Sequence, residues 1–533
     1  MSVSEDARNE RAERGSYTRD SLAALLQGAR RRSSFLALLA IALAAAYPMQ
    51  VNGFNQNAHY ALVRALADGT TIIDKTRHEI GDLGTNDVQR FKGHYYSNKA
   101  PGLALLTLPA FEVVDASGFR TTGDPTEPIW PLHVWSIVLP FLLLLLLVRD
   151  RADRLEDGLG TAAAVTLGLG TLAFPFSTLF FSHVLSATLG FLAFALLWRE
   201  RDGPGSLPLV VAAGLAAGLA VTTEYALVFV AVILGLYVLA GRGFRRACGY
   251  AAGVLVGVVP LALYNVWAFG SVTHLTYENN QVEPVHGFFH LAVGWPSPHY
   301  AWDLAFSVWG LVTLTPVIVC GLAGAVLLYR RGQRAEALVC VGIAAIFYVW
   351  DASLGHGASP FGGFGPPRYL IPILPFLAVP LAVAFRRFPA TTLALALVSA
   401  FQMVVQTGTN PLAAYDGEWM TRVRTKQFSQ TAASLLGVTG WYTILVFFAA
   451  ALAGAILAAI ATGRLRPARW DLVLAPVALL GWALIALDAH SPHLHPYGHR
   501  FGSGYVVALA LAAGITAATA AGLGARRLRL LRA

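Results

Sequence analysis

The sequence predicts an all-α, polytopic integral membrane protein with about 11–14 transmembrane helices. Of its 533 residues, 56% are apolar and only 13% are charged, and this charged fraction is about half that of soluble domains. The apolar residues lie in blocks of roughly 16 to 26, the length that a helix needs to cross a bilayer. No polar linker separates soluble domains along the chain. Soluble enzymes, disulfide-stabilised secreted proteins and disordered proteins are therefore excluded.

Fourteen apolar segments are candidate spans. They cover residues 34–50, 130–148, 159–177, 180–198, 207–222, 224–240, 248–269, 303–329, 335–350, 369–385, 389–408, 438–462, 471–488 and 505–524. With the N-terminus in the cytoplasm, 27 of the 39 Lys and Arg residues fall on the cytoplasmic side, as the positive-inside rule requires. We therefore expect a multi-pass protein of the cytoplasmic (plasma) membrane with both termini cytoplasmic and the long polar loops on the outer face.

The charge distribution also indicates which binding partners the protein is expected to have. The net charge of +9 arises from short loops between spans, which indicates topology and contact with membrane lipids rather than a nucleic-acid surface. The cations Lys75, Lys92, Lys99, Lys426 and Arg368 fall on the predicted outer side, against the general bias. A binding role would explain such misplaced cations.

The first outer loop, residues 51–118, holds two predicted helices and a polar segment. Asn57–Asp68 is predicted to be an amphipathic helix lying along the membrane and ending at Gly69. Ala100–Val114 is short for a span and is predicted to be an interfacial or re-entrant helix. Counting it as a full crossing would move every later basic loop to the outside.

Between these helices, Ile72–Gly102 is dense in reactive groups. It holds the acids Asp74, Asp82 and Asp87, the cations Lys92 and Lys99, and the pair Tyr95–Tyr96. Carboxylates can act as general bases and a lysine can hold a phosphate as a point charge. A solvated loop whose charges neutralise one another explains the same composition, and the residues alone leave both readings open.

Other polar residues occur near the predicted outer ends of spans. Glu224 follows one span and His183 lies near the end of another, where each could bind substrate or satisfy a hydrogen bond between helices. The last outer loop contains His490, His493, His495 and His499, but their spacing fits no particular metal site and Pro492 and Pro496 interrupt any helix. No cofactor is expected, and a divalent metal is not indicated.

Several strings resemble the GT-C membrane glycosyltransferases, in particular the branch with protein mannosyltransferases, lipid A aminoarabinose transferases and Rgt-type lipopolysaccharide glycosyltransferases. The first loop contributes GHYYSNKAPG with the upstream NxNxxYALVRAL helix. Three later strings resemble the same branch, namely FSTLFFSHVLSA (176–187), YNVWAFGS (264–271) and GGFGPPRYLIPILPF (362–376). The resemblance spans roughly residues 35–390. We therefore divide the chain into a basic cytoplasmic tail (1–33), a GT-C-like catalytic membrane core (34–408) and C-terminal helices and loops (409–533).

This resemblance implies transfer of a sugar from a polyprenyl-phosphate carrier to a glycan, lipid or protein acceptor on the outer face, by an inverting single displacement. Many relatives carry an Asp-Glu pair before the first loop helix, whereas this chain has Asn55-Gln56-Asn57. The base is therefore expected downstream, at Asp87 first, Asp74 second and Asp82 third. Lys99 and Arg368 are expected to bind the donor phosphate.

Five further residues, taken from the family-like strings and from the polar positions near the ends of spans, are expected to bind substrate. They are Asn57, Tyr95, Tyr96, His183 and Glu224. A lipid-linked-sugar flippase or transporter is the main alternative, since many spans are typical of transporters. The spans are almost free of ionisable residues, which favours chemistry at the interface over passage through the bundle.

Overall fold

The computed structural model describes residues 27–50, 53–79, 84–118, 129–278, 294–354, 365–412, 418–463, 465–489 and 502–530. Within these ranges the chain is helical except for loops and two small antiparallel sheets of two strands each. The predicted all-α, polytopic fold class is confirmed.

Each of the fourteen predicted spans contains a helix. Eight helices of the described residues are long and apolar enough to cross a membrane: Ile129–Leu155, Ser182–Asp202, Tyr225–Arg242, Phe244–Phe269, Pro389–Thr409, Trp441–Ala461, Arg469–Asp488 and Ser503–Ala520. Two pairs of helices, bent by 86° and 54°, have the length and apolar content of one broken span or one re-entrant loop each: Pro298–Leu314 with Ile318–Arg330 and Arg368–Ala378 with Leu381–Arg387. The rest are shorter or more highly charged: 27–46, Gly160–Gly170, Leu207–Thr223 and Arg334–Asp351.

The predicted helix of the first loop spans Phe54–Ala67 and is called the loop helix below. It ends as predicted, because Gly69 follows it with a φ of +71°, a conformation that glycine adopts without strain. On its predicted polar face, Asn57 and Tyr60 are buried together with the apolar residues, whereas Arg64 is partly exposed. The loop helix is enclosed by other elements because its polar face packs against the rest of the loop.

A hairpin follows the loop helix. Val88–Phe91 pairs with His94–Ser97 so that Val88 lies opposite Ser97. The turn residues Lys92 and Gly93 both have positive φ, +49° and +89°, as a two-residue type I′ turn requires. Beyond the paired strands, the amide of Asn98 donates to the carbonyl of Asp87 at 3.2 Å. The hairpin thereby brings the residue before its first strand next to Asn98 and Lys99.

The predicted interfacial or re-entrant helix spans Gly102–Ala116. A Cβ at Gly102 would lie 2.6 Å from the hydroxyl oxygen of Thr223 and 2.7 Å from its Cα, so only glycine allows this approach. The helix therefore begins against the end of Leu207–Thr223, and this contact places Lys99 close to Glu224.

Leu207–Thr223 is itself fixed by close packing on Phe244–Phe269. A Cβ at Gly218 would lie 2.3 Å from the carbonyl oxygen of Val254, and a Cβ at Gly253 would lie 2.2 Å from that of Val211. Small residues that let backbones approach in this way are typical of helix pairs in membranes.

Candidate functional site

Asp87 is held against the first turn of the loop helix by its own neighbours. Thr85 donates its hydroxyl to the carbonyl of Phe54 at 2.7 Å and accepts the amide of Asp87 at 3.1 Å. Asn57 donates its side-chain amide to the carbonyl of Gly84 at 2.7 Å. These bonds fix the backbone from Gly84 to Asp87, so the Asp87 carboxylate is presented in a defined position.

Asp87 forms an ion pair with Lys99. The Lys99 ammonium lies 2.7 Å from Oδ2 of Asp87, and the side chains are only 10% (Lys99) and 21% (Asp87) exposed. Burial by itself would raise the pKa of Asp87, but the Lys99 and Arg368 charges and the hydrogen bond from Lys99 hold this pKa below its usual value. Asp87 is therefore a carboxylate at neutral pH, and Lys99 is its counter-ion.

Glu224 and His183 lie together at two helix ends. Ser182 and His183 begin the helix Ser182–Asp202, and Glu224 follows Leu207–Thr223 with an extended backbone. The Glu224 carboxylate accepts the hydroxyl of Ser182 and lies 3.3 Å from Nδ1 of His183. Both Lys99 and Arg368 interact electrostatically with Glu224, so a second carboxylate faces the same two cations.

The segment before Ser182 is a break between helices that polar side chains stabilise. Gln56 of the loop helix accepts the amide of Phe180 at 2.8 Å, and His133 bonds to the carbonyl of Ser177 at 2.9 Å. Backbone groups freed by a break need such partners when protein or lipid surrounds them. The break therefore also ties the loop helix to His183.

Arg368 begins the short 3₁₀ helix Arg368–Ile373. Its guanidinium lies 5.6 Å from the ring centre of Phe181 and 5.4 Å from that of Tyr369. The Tyr369 ring in turn meets His183 edge-on at 5.7 Å. No carboxylate lies within ion-pair distance of Arg368 among the described residues; Asp351, fully buried, interacts with it only at longer range.

The structure thus brings together five residues that the sequence predicts separately. We call Asp87, Lys99, His183, Glu224 and Arg368 the polar centre. They come from four distant parts of the chain and combine two cations with two carboxylates and one imidazole. Such a set can hold an anion beside a carboxylate that is free to take a proton.

Other predicted residues have structural partners outside this centre. Asp74 accepts the amide of Tyr95 at 2.6 Å and lies 2.8 Å from Nδ1 of His94, with roughly half of each side chain exposed. Asp74 therefore anchors the hairpin.

The predicted substrate-binding residues Asn57, Tyr95 and Tyr96 also make contacts within the loop. The Asn57 amide supports Gly84, as described above. The Tyr95 ring lies under the guanidinium of Arg77 at 3.8 Å, and the buried Tyr96 packs on Phe269 with ring centres 5.0 Å apart. These contacts hold the hairpin in place. Asp82 and the histidines 490, 493, 495 and 499 lie outside the described residues.

His59 and Ser182 belong to this region but are not among the residues singled out from the sequence. His59 is buried and interacts electrostatically with both Lys99 and Asp87. Ser182 precedes His183 inside one of the family-like strings, which is the sequence feature that could have pointed to it. Among the described residues, no group of three His, Cys, Asp or Glu side chains is arranged to hold a metal ion.

Fold and polar centre together describe a multi-pass membrane protein with a charged site built from loop and helix ends. No family model matches the sequence, and no curated protein sequence matches it. The structure is similar to ArnT from Cupriavidus metallidurans in the apo state, with a TM-score of 0.44 and 17% identity over 95% of this chain and 77% of that chain. The same protein bound to undecaprenyl phosphate gives a TM-score of 0.42 and 15% identity over the same shares.

A second similar protein is the oligosaccharyltransferase of Archaeoglobus fulgidus. Its apo form gives a TM-score of 0.41 and 13% identity over 83% of this chain and 57% of that chain. ArnT and this oligosaccharyltransferase are both GT-C glycosyltransferases, the class that the sequence strings resemble. Because all the TM-scores are below 0.5, the similarity by itself decides nothing about the activity of this chain.

Proposed function

We propose that this protein is a glycosyltransferase that transfers a sugar from a polyprenyl-phosphate carrier to a glycan, lipid or protein acceptor on the outer face of the plasma membrane. One observation carries the proposal. Lys99, His183 and Arg368 belong to three separate strings that resemble the GT-C enzymes, and these residues meet in the polar centre. A loop whose charges only neutralised one another would not require this convergence.

Lys99 and Arg368 bind the carrier phosphate in this proposal. Arg368 supplies a planar fork that can bond two phosphate oxygens, while Lys99 supplies a point charge. As the bond to the sugar breaks, negative charge grows on the phosphate, and a cation already in place stabilises the transition state more than the ground state.

Asp87 acts as the general base. The acceptor hydroxyl attacks the anomeric carbon, the bond from that carbon to the phosphate oxygen breaks, and the hydroxyl proton passes to Asp87. Polyprenyl phosphate leaves with the bonding electron pair, and the anomeric centre inverts. Donor binding makes Asp87 more basic. The ion pair with Lys99 lowers the basicity of Asp87, and a donor phosphate that attracts Lys99 weakens this pair.

The test uses purified protein in proteoliposomes with radiolabelled undecaprenyl-phosphate sugars and an extract of envelope glycans and lipids. A glycosyltransferase consumes the donor, releases undecaprenyl phosphate and moves the label to an acceptor. Lys99→Met should abolish this consumption, whereas Lys75→Met, an exposed lysine of the same loop, should not. Movement of intact donor between leaflets without cleavage would instead support the flippase and contradict the proposal.

A further inference from the structure

His59 is a deeply buried imidazole of the loop helix. It is only 1% exposed, and neither of its ring nitrogens has a partner among the described residues. Buried polar side chains nearly always have partners, and an unpartnered one destabilises the fold. His133 shows the usual arrangement, since it is equally buried but bonds to the carbonyl of Ser177. His59 therefore needs an explanation that His133 does not.

The position of His59 supplies one. It lies on the loop helix three residues after Gln56, and both residues contact Phe180, Gln56 through the backbone amide and His59 ring to ring at 6.1 Å. It interacts electrostatically with Lys99 and with Asp87. His59 thus faces the polar centre from the loop helix.

His183 lies in the same region. Its Nδ1 lies 3.3 Å from Glu224, while its Nε2 is buried and has no partner among the described residues. His183 interacts electrostatically with His59, Lys99 and Arg368. Three imidazole nitrogens that lack partners among the described residues therefore belong to rings that both interact with Lys99.

The charge state of His59 indicates which kind of ligand group it can bind. Burial and the nearby Lys99 lower the pKa of His59 to about 3, so the ring is neutral at physiological pH. A neutral imidazole presents one donor and one acceptor. A phosphate offers only acceptors, whereas a sugar hydroxyl is both a donor and an acceptor and matches the ring.

We infer that His59, together with Nε2 of His183, binds hydroxyl groups of the sugar carried by the donor. This inference rests on the proposed function and divides the site in two. Lys99 and Arg368 bind the phosphate that every polyprenyl-phosphate donor shares, and the two histidines bind hydroxyl groups that differ from one sugar to another. His59 is then a determinant of donor specificity, separate from the base.

Binding experiments can separate the two halves. Affinity is measured for undecaprenyl phosphate alone and for a panel of undecaprenyl-phosphate sugars bearing glucose, galactose, mannose, arabinose and aminoarabinose. The wild type should bind at least one of the sugar-bearing carriers more tightly than undecaprenyl phosphate. His59→Phe keeps a ring but no nitrogens, so it should bind undecaprenyl phosphate within about twofold of the wild type and lose on the order of tenfold in affinity for the preferred sugar donor. His78→Phe replaces an exposed histidine of the same loop; it is the control and should keep the gain in affinity due to the sugar.

The outcomes distinguish this inference from the proposed function. A wild type that does not bind undecaprenyl phosphate contradicts the proposed function itself. A wild type that binds it but gains nothing from any sugar overturns only the sugar subsite, as does a His59→Phe variant that keeps the full gain. If His59→Phe binds neither undecaprenyl phosphate nor the sugar donor, His59→Asn is measured in the same way. Retained binding of undecaprenyl phosphate by His59→Asn, with a changed order of preference among the sugars, supports the inference. Loss of binding of both ligands by His59→Asn overturns it.

Discussion

The ion pair between Asp87 and Lys99 allows stability and catalysis to be tested separately. Breaking a fully buried pair by removing one partner costs about 3–5 kcal/mol, whereas an exposed pair contributes about 0–1 kcal/mol. Because these side chains are 10% and 21% exposed, we expect Lys99→Met and Asp87→Asn each to lower stability by about 2 kcal/mol. Asp87→Asn should be the more damaging, since it leaves Lys99 near a second cation, Arg368.

The double variant Asp87→Asn/Lys99→Met should recover much of this loss. Neither side chain then carries an uncompensated charge. With about 2 kcal/mol lost in each single variant and an interaction free energy of about 3 kcal/mol, the double variant should be only about 1 kcal/mol less stable than the wild type. Thermal unfolding in detergent measures the stability, and about 2 kcal/mol corresponds to a few degrees or less in a chain of this size. Lys75→Met controls for loss of a lysine in the same loop.

Catalysis should not recover with stability. The double variant lacks both the proposed base and one of the proposed phosphate-binding cations, and a general base alone contributes roughly 10²–10⁴-fold to turnover. Turnover is measured as release of undecaprenyl phosphate from saturating donor. A folded double variant with turnover near that of the wild type would refute the role of Asp87 as base, and single variants that unfold at the wild-type temperature would refute the buried pair.

Further variants test other parts of the site and the fold. Arg368→Lys should fold normally and lose about 2–4 kcal/mol of transition-state stabilisation, measured as reduced kcat, because lysine cannot bond two phosphate oxygens; full activity would exclude the clamp. Asp74→Asn should slightly destabilise the hairpin and leave turnover within about threefold, while a loss as large as that in Asp87→Asn would assign the base to Asp74. The pKa of His59 is about 3 in the folded protein and about 6.5 in the unfolded chain, so only the unfolded chain takes up this proton as the pH is lowered from 7.5. The free energy of unfolding should therefore fall by ~1.4 kcal/mol at pH 5.5 because of His59. Unfolding scans of His59→Asn should lack this loss. Gly253→Val would place its Cβ 2.2 Å from a carbonyl oxygen of the neighbouring helix and should reduce the yield of folded protein, whereas Gly342→Val, with no atom within 4 Å of its Cβ, should not.

Hydropathy was sufficient to locate the helices but not to describe their course. All fourteen apolar segments contain helix, because in a bilayer only helices and closed barrels satisfy their own backbone groups. The bends of 86° and 54° could not be read from apolar content, which is similar on both sides of each bend. The enclosure of the loop helix was also missed, because the pattern of Asn57 and Tyr60 on one face does not say whether water or protein lies against it.

The site was predictable in its members but not in their pairing. Charge and local strings predict Asp87, Lys99 and Arg368 as site residues, yet only the structure shows that Lys99 pairs with Asp87. Among the described residues, Arg368 has no carboxylate at that distance. Asp87 and Lys99 meet because a hairpin forms between them, and Arg368 reaches them from a distant part of the chain, so neither relation leaves a local pattern. His59 could not be predicted for a related reason. Its deep burial, without a hydrogen-bond partner among the described residues, is a property of the three-dimensional structure alone.

Arg368 differs from other arginines of the described residues in how its charge is compensated. Near the far end of the helix that His183 begins, Glu200 binds Arg242 and Arg246; these arginines are neutralised and need no ligand. Arg368 differs, because its guanidinium lies over the rings of Phe181 and Tyr369. The buried Asp351 is beyond ion-pair distance, and neither of its carboxylate oxygens has a partner within the described part of the chain. An arginine that only anchored its loop would gain from closing that pair, since a buried cation without a counter-ion is costly. The separation is understandable if the donors of Arg368 are kept for an anion that arrives from the membrane, and a phosphate at the headgroup level satisfies that requirement.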